Sequence, residues 1–551
     1  MLLSNMELIA TAPGGVAKLR ELILTLAVQG KLVPQDPADE PASVLLQKIR
    51  AEKDRLIAEG KIKRDKPLAE IGEEEKPFEL PVVWEWVRFG EVLDFQGGGQ
   101  PPKSNFSEIP LPDYVQLIQI RDLGDKPQPV YIPRKLASKF CTTSDVMVGR
   151  YGASVGKVFW GKDGAYNVAL VKMVDEHQVF DRRFLFQLLL SPIGQSLFAG
   201  ISRSAQDGFN KNDIEAKLIP LAPLAEQSRI VTRVEELMRL CDALEAKGRL
   251  EAAQHAQLVS TLLGTLTASA TPDELAANWQ RVAQHFDLLL DRPAAIDALE
   301  QTLLQLAVRG LLVPQDPADE PASVLLQKIR AEKDRLIAAG QIKRDKPLPP
   351  ITEEEMQFGL PVGWQWVNVA TVFDTTSGST FNPEMEKESG AYMYVKVGDM
   401  NLLGNEFEIT TSSRFIDPSD RDLKALIPGG SIIFPKRGGA IATNKKRVVS
   451  KPIFVDLNTM AITPFLIPTE YALLWLMTVD LASLNTGTSV PQINHKDIDP
   501  LPFPLPPLAE QSRIVTRVTA LRRLCSDLRQ RLAEREAVQA RLAEALVESV
   551  G

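Results

Sequence analysis

Apolar residues recur at heptad spacing in two places along the chain. Ile230, Val234, Leu237, Cys241 and Leu244 follow one another at intervals of 4, 3, 4 and 3, and Ile514, Val518, Leu521, Cys525 and Leu528 repeat that series before Leu532. A stripe of this kind predicts a long helix with an a/d seam. Pro220 and Pro223 stand upstream of the first stripe, and Pro504, Pro506 and Pro507 upstream of the second, where they fix a helix start. Glu226 and Glu510 fall in the first turn, where the helix dipole favours a negative charge. Leu542 and Leu546 carry the second helix almost to the last residue. Two such helices bury their stripes most simply against each other, as an antiparallel coiled coil. The alternative is that each seam packs on its own globular block. Cys241 and Cys525 lie on the seams and read as small buried hydrophobes.

Shorter helical patterns precede each stripe. Leu19–Val28 and Leu299–Val308 are apolar and end at Gly30 and Gly310, residues suited to a C-cap. A proline-rich acidic turn, Pro34–Pro41, leads to a second helix that runs to Gly60. Lys61–Lys66 and Glu73–Glu75, with Lys343–Lys346 and Glu353–Glu355 in the second half, read as solvated linkers. Between these helical stretches the pattern changes to short β-branched or aromatic runs broken by glycine: Tyr114–Ile120, Lys157–Trp160, Tyr392–Val397 and Ser431–Phe434. Each such block is expected to be a compact mixed α/β domain.

The chain is one unit written twice. Val33–Ala58 recurs letter for letter as Val313–Ala338, and IKRDKPL follows both copies. Pro81, Val82, Trp84, Trp86 and Val87 return as Pro361, Val362, Trp364, Trp366 and Val367, at the same offset of 280. PLAEQSRIVTRV stands at Pro223–Val234 and again at Pro507–Val518, at an offset of 284. The blocks between these echoes share little sequence. Near-identical frames therefore enclose two divergent inserts, a pattern suited to two copies of one partner and two different ligands. The expected division is residues 1–77 as a helical region, 78–222 as the first insert, 223–357 as a central helical region, 358–506 as the second insert and 507–551 as a terminal helix. The fold class is α+β: two mixed α/β domains separated by long helices, with a pseudo-two-fold internal repeat.

Three cysteines make neither a disulfide framework nor a CxxC site, and the four scattered histidines show no metal-ligand spacing. The absence of a long apolar run or signal sequence predicts a cytoplasmic protein. A net charge of −8 excludes a simple basic DNA-coating protein, so nucleic-acid contacts must be local. Phe95, Gly97 and Gly99 spell FxGxG, a cofactor-loop pattern of adenine methyltransferases, but the Asn/Asp-Pro-Pro-aromatic motif those enzymes need is missing. Gly152, Gly156 and Lys157 fall one residue short of a phosphate loop, with Val158 where Ser or Thr must meet Mg²⁺.

Basic, glycine-rich loops remain. Between Ala425 and Val455 stand six basic residues, Lys436, Arg437, Lys445, Lys446, Arg447 and Lys451, and no acidic one. Glycines there let the backbone approach phosphates, Lys and Arg neutralise them, and Asn444 is suited to reading a base edge. The other reading of this run is a solvated loop. The first insert has a looser equivalent in Arg150, Tyr151 and Lys157. Its total is balanced, with 16 basic and 16 acidic residues over 78–222. Near the end of each insert, Ser202–Asn212 (with Arg203, Gln206 and Lys211) and Asn485–Lys496 (with Gln492, Asn494 and Lys496) offer amide and basic side chains. Structural turns explain these segments nearly as well.

Two variable blocks framed by repeated helices, with PLAPLAEQSRIV and PLPPLAEQSRIV opening each long helix, resemble the specificity subunits of type I restriction-modification systems. DVMVGRYGASVGKVFW (Asp145–Trp160), LIPGGSIIFPKRGGAIATNKKR (Leu426–Arg447) and FQGGGQPPKSN (Phe95–Asn105, with Lys103) resemble target-recognition segments of that family. The resemblance implies a non-catalytic subunit whose two domains each read half of a split double-stranded DNA site. It also implies two methylation subunits using S-adenosylmethionine and motor-nuclease subunits using ATP and Mg²⁺, with no cofactor in this chain. A helix from about Ala225 to Leu263 is roughly 60 Å long at 1.5 Å per residue, which caps the separation of domain centres at some 18 base pairs. A fused methyltransferase and a protein-binding coiled-coil adaptor are the competing classes. Methylation by the isolated chain would mark the first, and absence of salt-dependent DNA binding the second.

Overall fold

The computed structural model describes residues 2–60, 68–201, 208–269, 271–344, 347–484 and 490–550. The chain forms two units, Met1–Glu251 with Arg535–Gly551, and Ala252–Glu534. The boundaries fall within two long helices, Leu224–Ala268 and Leu508–Val550. Each helix therefore contributes to both units.

In the first unit, helices Leu2–Ala10, Gly15–Val28 and Ala42–Ala58 precede the insert. The insert is opened by β1 (Glu85–Arg88) and closed by β10 (Leu218–Leu221), which pair antiparallel. Between them lie β2 (Asp94–Gly97), β3 (Tyr114–Ile118), β4 (Tyr131–Pro133), β5 (Phe140–Cys141), β6 (Val146–Gly149), β7 (Val158–Trp160), β8 (Gly164–Tyr166) and β9 (Leu170–Val174). They form two four-stranded sheets, ordered β2-β9-β6-β7 and β4-β3-β8-β5. A helix, Arg182–Leu190, buries Phe184, Leu185, Leu188 and Leu189, and Asp181 caps it by accepting from the amides of Arg183 and Phe184.

The second unit repeats this plan. Helices Pro293–Val308 and Ala322–Ala338 correspond to Gly15–Val28 and Ala42–Ala58. The insert pairs β11 (Gln365–Asn368) with β19 (Pro502–Leu505). β12 (Phe373–Ser377), β18 (Thr459–Pro464), β15 (Ser431–Pro435) and β16 (Arg447–Val449) make its four-stranded sheet, in that order. β14 (Phe415–Ile416), β13 (Tyr392–Val395) and β17 (Phe454–Val455) make a three-stranded one. The sequence-divergent inserts thus share a topology, apart from the extra strand β5 in the first, and in both the inner strands β6 and β15 are buried at every position.

The three echoes meet at one junction in each unit. Trp84 is buried, and its indole Nε1 donates to Glu226 Oε2 at 2.9 Å. Gln35 Nε2 donates to the other oxygen of Glu226 at 2.7 Å. Arg229 forks onto Asp39 at 2.7 and 3.2 Å. In the second unit Trp364 donates to Glu510 at 2.9 Å, and Arg513 forks onto Asp319 at 2.5 and 3.2 Å. Burial raises the carboxyl groups of Glu226 and Glu510 above their ordinary value. Placement of these glutamates by the helix dipole is therefore the lesser part of their role; they hold the tryptophan of the second echo to the long helix of the third. Gly30 and Gly310, at φ 68° and 71°, end the preceding helices, and a Cβ on either would stand 2.5 Å from Cγ of Pro81 or Pro361.

The seams are shared among more partners than a two-stranded coil provides. Ile230, Val234, Leu237 and Cys241 enter one core with Leu19, Ile23 and Ala27, with the insert, and with Ala543; Leu244 packs against its edge. In the second unit Ile514 and Val518 join the insert core, whereas Leu521, Cys525, Leu528 and Leu532 pack with Val259, Leu263, Leu266, Ile296, Leu299 and Leu303. The start of one long helix thus lies with the end of the other in each unit, the order of an antiparallel pair, but a frame helix completes each bundle.

The stretch Glu73–Glu75 is not simply a solvated linker. Glu75 takes both guanidinium nitrogens of buried Arg88 at 2.7 and 2.8 Å, and the same guanidinium donates to the carbonyls of Ala69, Glu70 and Ala216. That ion pair holds the Glu75 carboxyl down at about 2. Lys61–Lys66 lies outside the described residues, as do Asp345 and Lys346 of the second linker.

Candidate functional site

One end of the β2-β9-β6-β7 sheet, and the same end of its counterpart β12-β18-β15-β16, collects polar side chains from three separate stretches of sequence. In the second unit β15 ends at Pro435, and Lys436 follows it; the Ile493 amide donates to the Lys436 carbonyl at 2.8 Å, and Arg437 bridges to Gln492. Lys436 is buried and donates to Ser377 Oγ at 2.9 Å; burial lowers its ammonium below the usual lysine range. His495 reaches Thr375 Oγ1 through Nδ1 at 2.9 Å and Ser377 Oγ through Nε2 at 3.2 Å. Gln492 donates to Asn494 Oδ1 at 2.8 Å. Arg437 and Lys496 are exposed beside this network.

The first unit builds the same place from other residues. Gly98 and Gly378 each donate to the strand opposite, at Leu170 and Thr459, which pair in turn with Gly149 and Pro435. Arg150 therefore holds the position of Lys436, and Tyr151 that of Arg437. Tyr151 bridges Gly208, as Arg437 bridges Gln492. Arg150 donates to the Phe209 carbonyl at 3.0 Å and to Asn210 Oδ1 at 2.9 Å, and lies 5.3 Å from the Tyr151 ring centroid. Lys211 occupies the place of His495 and pairs with Asp94 at 3.0 Å. Asn210 and Asn494 are the N-caps of matching short helices, Lys211–Ile214 and His495–Ile498.

The glycine run that carries FxGxG has a packing constraint at Gly98, the position between the two glycines of the pattern. A Cβ on Gly98 would sit 2.1 Å from the Asn167 carbonyl oxygen, and one on Gly378 would sit 2.0 Å from that of Asp456. Only glycine lets these strand ends cross so closely.

The basic run of the second insert is divided by burial. Lys446 points inward, donating to Asn444 Oδ1 at 2.8 Å and to the Val479 carbonyl at 2.7 Å, with its ammonium pushed down to about 8. Asn444 is left-handed at φ 53° and its Oδ1 also accepts from the Leu481 amide at 2.9 Å, so it fixes the loop. Arg447 is half-buried and donates to the carbonyls of Lys446 and Met400, while Lys445 bonds to Asn401. Lys103 and Lys157 are exposed in the first insert. Arg203 and Gln206 lie outside the described residues. Thr375, Ser377 and His495 were missed in the sequence; the signal available was the pair of offsets, which sets them against Phe95, Gly97 and Lys211. Among the described residues no three His, Cys, Asp or Glu side chains gather into a metal site. No helix there is long and apolar enough to cross a membrane.

A family model of the type I restriction modification DNA specificity domain matches residues 81–255 and again 361–535. The chain belongs to the type I restriction-modification specificity subunits. It is 35% identical to the EcoAI specificity subunit of Escherichia coli over 97% of this chain and 94% of that one. It is 34% identical to the EcoEI specificity subunit of the same species, again over 97% and 94%. The solved HsdS subunit of Thermoanaerobacter tengcongensis is 20% identical over 87% of this chain and 98% of its own, with a TM-score of 0.39. As a specificity subunit the chain is the non-catalytic, DNA-specifying component of its complex. Each matched segment begins at the second echo and ends within a long helix, so β1 to β10 lie inside the first and β11 to β19 inside the second.

Proposed function

We propose that each insert reads one half of a bipartite double-stranded DNA site through the polar end of its four-stranded sheet. The observation that carries this reading is equivalence without identity: one backbone frame presents Arg150, Tyr151, Gly208, Asn210 and Lys211 in the first unit and Arg437, Gln492, Asn494 and His495 in the second, where buried Lys436 stands at the place of Arg150. A shared frame places side chains alike relative to DNA, and different side chains at the same places read different bases. The exposed cations Lys103, Lys157, Arg437 and Lys496 meet phosphates or base edges. Lys436, Lys446 and Asn444 act from behind by holding the loops.

The repeated helical frame docks two copies of a methylation subunit, which supply S-adenosylmethionine chemistry on adenines. Restriction subunits supply the ATP- and Mg²⁺-dependent motor and nuclease, and the complex works in the cytoplasm. Two near-identical docking frames on one chain support two copies of one partner. The long helices set the length of the unread spacer between half-sites.

The test is methylation mapping with the assembled enzyme. Arg437→Ala with Gln492→Ala is expected to relax one half-site and to lower methylation there by roughly 10- to 100-fold, the discrimination of one good base contact. The other half-site stays unchanged. Equal loss at both half-sites, or none at either, refutes the assignment.

A further inference from the structure

The duplication creates a folding problem, because each frame helix meets two nearly equivalent long helices. Leu19, Leu26, Ala27 and Val28 of the first frame helix return as Leu299, Leu306, Ala307 and Val308 of the second. The seams they meet share Ile, Val, Leu, Cys and Leu at Ile230/Ile514, Val234/Val518, Leu237/Leu521, Cys241/Cys525 and Leu244/Leu528. Apart from Leu22 against Thr302 and Ile23 against Leu303, the apolar faces largely match, so apolar matching separates the two partners poorly.

The charges beside those seams differ, and in a regular way. Arg20, on Gly15–Val28, bonds Glu245 at 2.9 Å and Asp242 at 2.7 Å on the first long helix. The residue matching Arg20 is Glu300, and the residue matching Glu245 is Arg529. These two also meet, at 2.7 Å, with their signs exchanged. Asp297 reinforces Arg529 at 2.7 Å, and Arg522 reinforces Glu300 at 2.6 Å. Glu300 is the most enclosed of the set, with its side chain 12% exposed.

We propose that this reversed pair of ion bridges is an address that assigns each frame helix to its own long helix. It prevents the two halves from exchanging frame helices within the chain or with a second copy of it. In the exchanged pairing Arg20 would face Arg522 and Arg529, and Asp297 with Glu300 would face Asp242 and Glu245. Each correct pairing is attractive and each wrong one repulsive, so exchange replaces two attractions by two repulsions, about four times the interaction that either bridge supplies alone. Opposite polarity in the two halves is what the device requires; which half is positive is immaterial.

That last property gives the test, made on the full chain. The first variant carries R20E, D242R and E245R, which keeps an ion bridge in the first unit but gives both halves the same polarity. The second adds D297K, E300R, R522E and R529E, which restores opposite polarity in the reverse sense. Two differently tagged copies are unfolded in urea, refolded together and tested for co-purification, against copies mixed only after refolding. Wild type and the second variant are expected to stay at the mixing background. The first variant should exceed it by roughly tenfold, the ratio that corresponds to about 1.4 kcal/mol of pairing preference. Co-purification of the first variant at the wild-type level overturns the proposal. So does a second variant as exchanged as the first, because damage from the substitutions would then explain both. If the first variant does not refold, E245R alone, which makes the first long helix attractive to Glu300, must raise co-purification, and its failure to do so counts equally against the address.

Discussion

Glu226 holds the first unit's frame together, and its removal tests that directly. In Glu226→Ala the Trp84 indole N–H and the Gln35 amide lose their acceptor in a place where Glu226 is fully buried and Trp84 is 3% exposed. A buried donor left unpaired costs about 1 to 3 kcal/mol. Two such donors, offset in part by no longer burying a carboxylate, put the expected loss at about 2 to 4 kcal/mol. Glu226→Gln keeps one oxygen acceptor but turns its amide nitrogen toward the other buried donor, so it should cost about 1 to 2 kcal/mol at neutral pH, less than Glu226→Ala. The pH dependence gives a second, independent sign. Burial raises the folded-state pKa of Glu226 above its ordinary 4.5, so between those values the folded chain holds a proton that the unfolded chain has lost. Stability from this group therefore grows as pH falls through that window and is lost as pH rises past the folded value. Glu226→Gln removes the dependence. Urea unfolding followed by hydrogen exchange of amides in Gly15–Val28 and Ala42–Ala58 reads the effect in the unit concerned. A loss below about 0.5 kcal/mol for Glu226→Ala, within the range of ordinary surface substitutions, would refute the reasoning, as would an unchanged pH slope in Glu226→Gln.

Gly378→Ala forces a Cβ to within 2.0 Å of the Asp456 carbonyl oxygen, so the second insert must distort; a loss of about 3 kcal/mol or more in thermal unfolding is expected, with recognition lost at one half-site only. Arg88→Leu strands Glu75 and three carbonyls, those of Ala69, Glu70 and Ala216; urea titration should show a loss of about 3 kcal/mol, since the uncompensated carboxylate is partly exposed and can rehydrate. Lys446 has a folded value of about 8 against an ordinary 10.5. The unfolded chain then binds more protons between those values, so wild-type stability relative to Lys446→Met should rise as pH climbs from about 8 to 10.5. A flat difference across that range, measured by urea unfolding, would place the ammonium in solvent.

Most of the architecture was legible because periodicity and repetition are local properties of the chain. Heptad spacing and flanking prolines gave the long helices nearly to their ends, at Leu224 and Val550. The echoes marked the frame, and glycine-broken β-branched runs marked the inserts. The candidate site was legible only in part. Arg437 and Lys496 could be named from composition, but nothing in a count of charges distinguishes exposed Arg437 from buried Lys446, nine residues along the same basic loop.

What the sequence determined by itself was therefore duplication, element type and the division into like frames and unlike inserts. What only the tertiary structure decided was partnership. It brought Arg150 to Asn210, Arg88 to Glu75, Trp84 to Glu226, and Arg20 to the acidic side chains of one long helix and not to the arginines of the other. The physical reason is that a charge or hydrogen bond acquires its value from whatever folding places within a few ångströms and from the water it excludes there. Spacing along a chain carries no record of either.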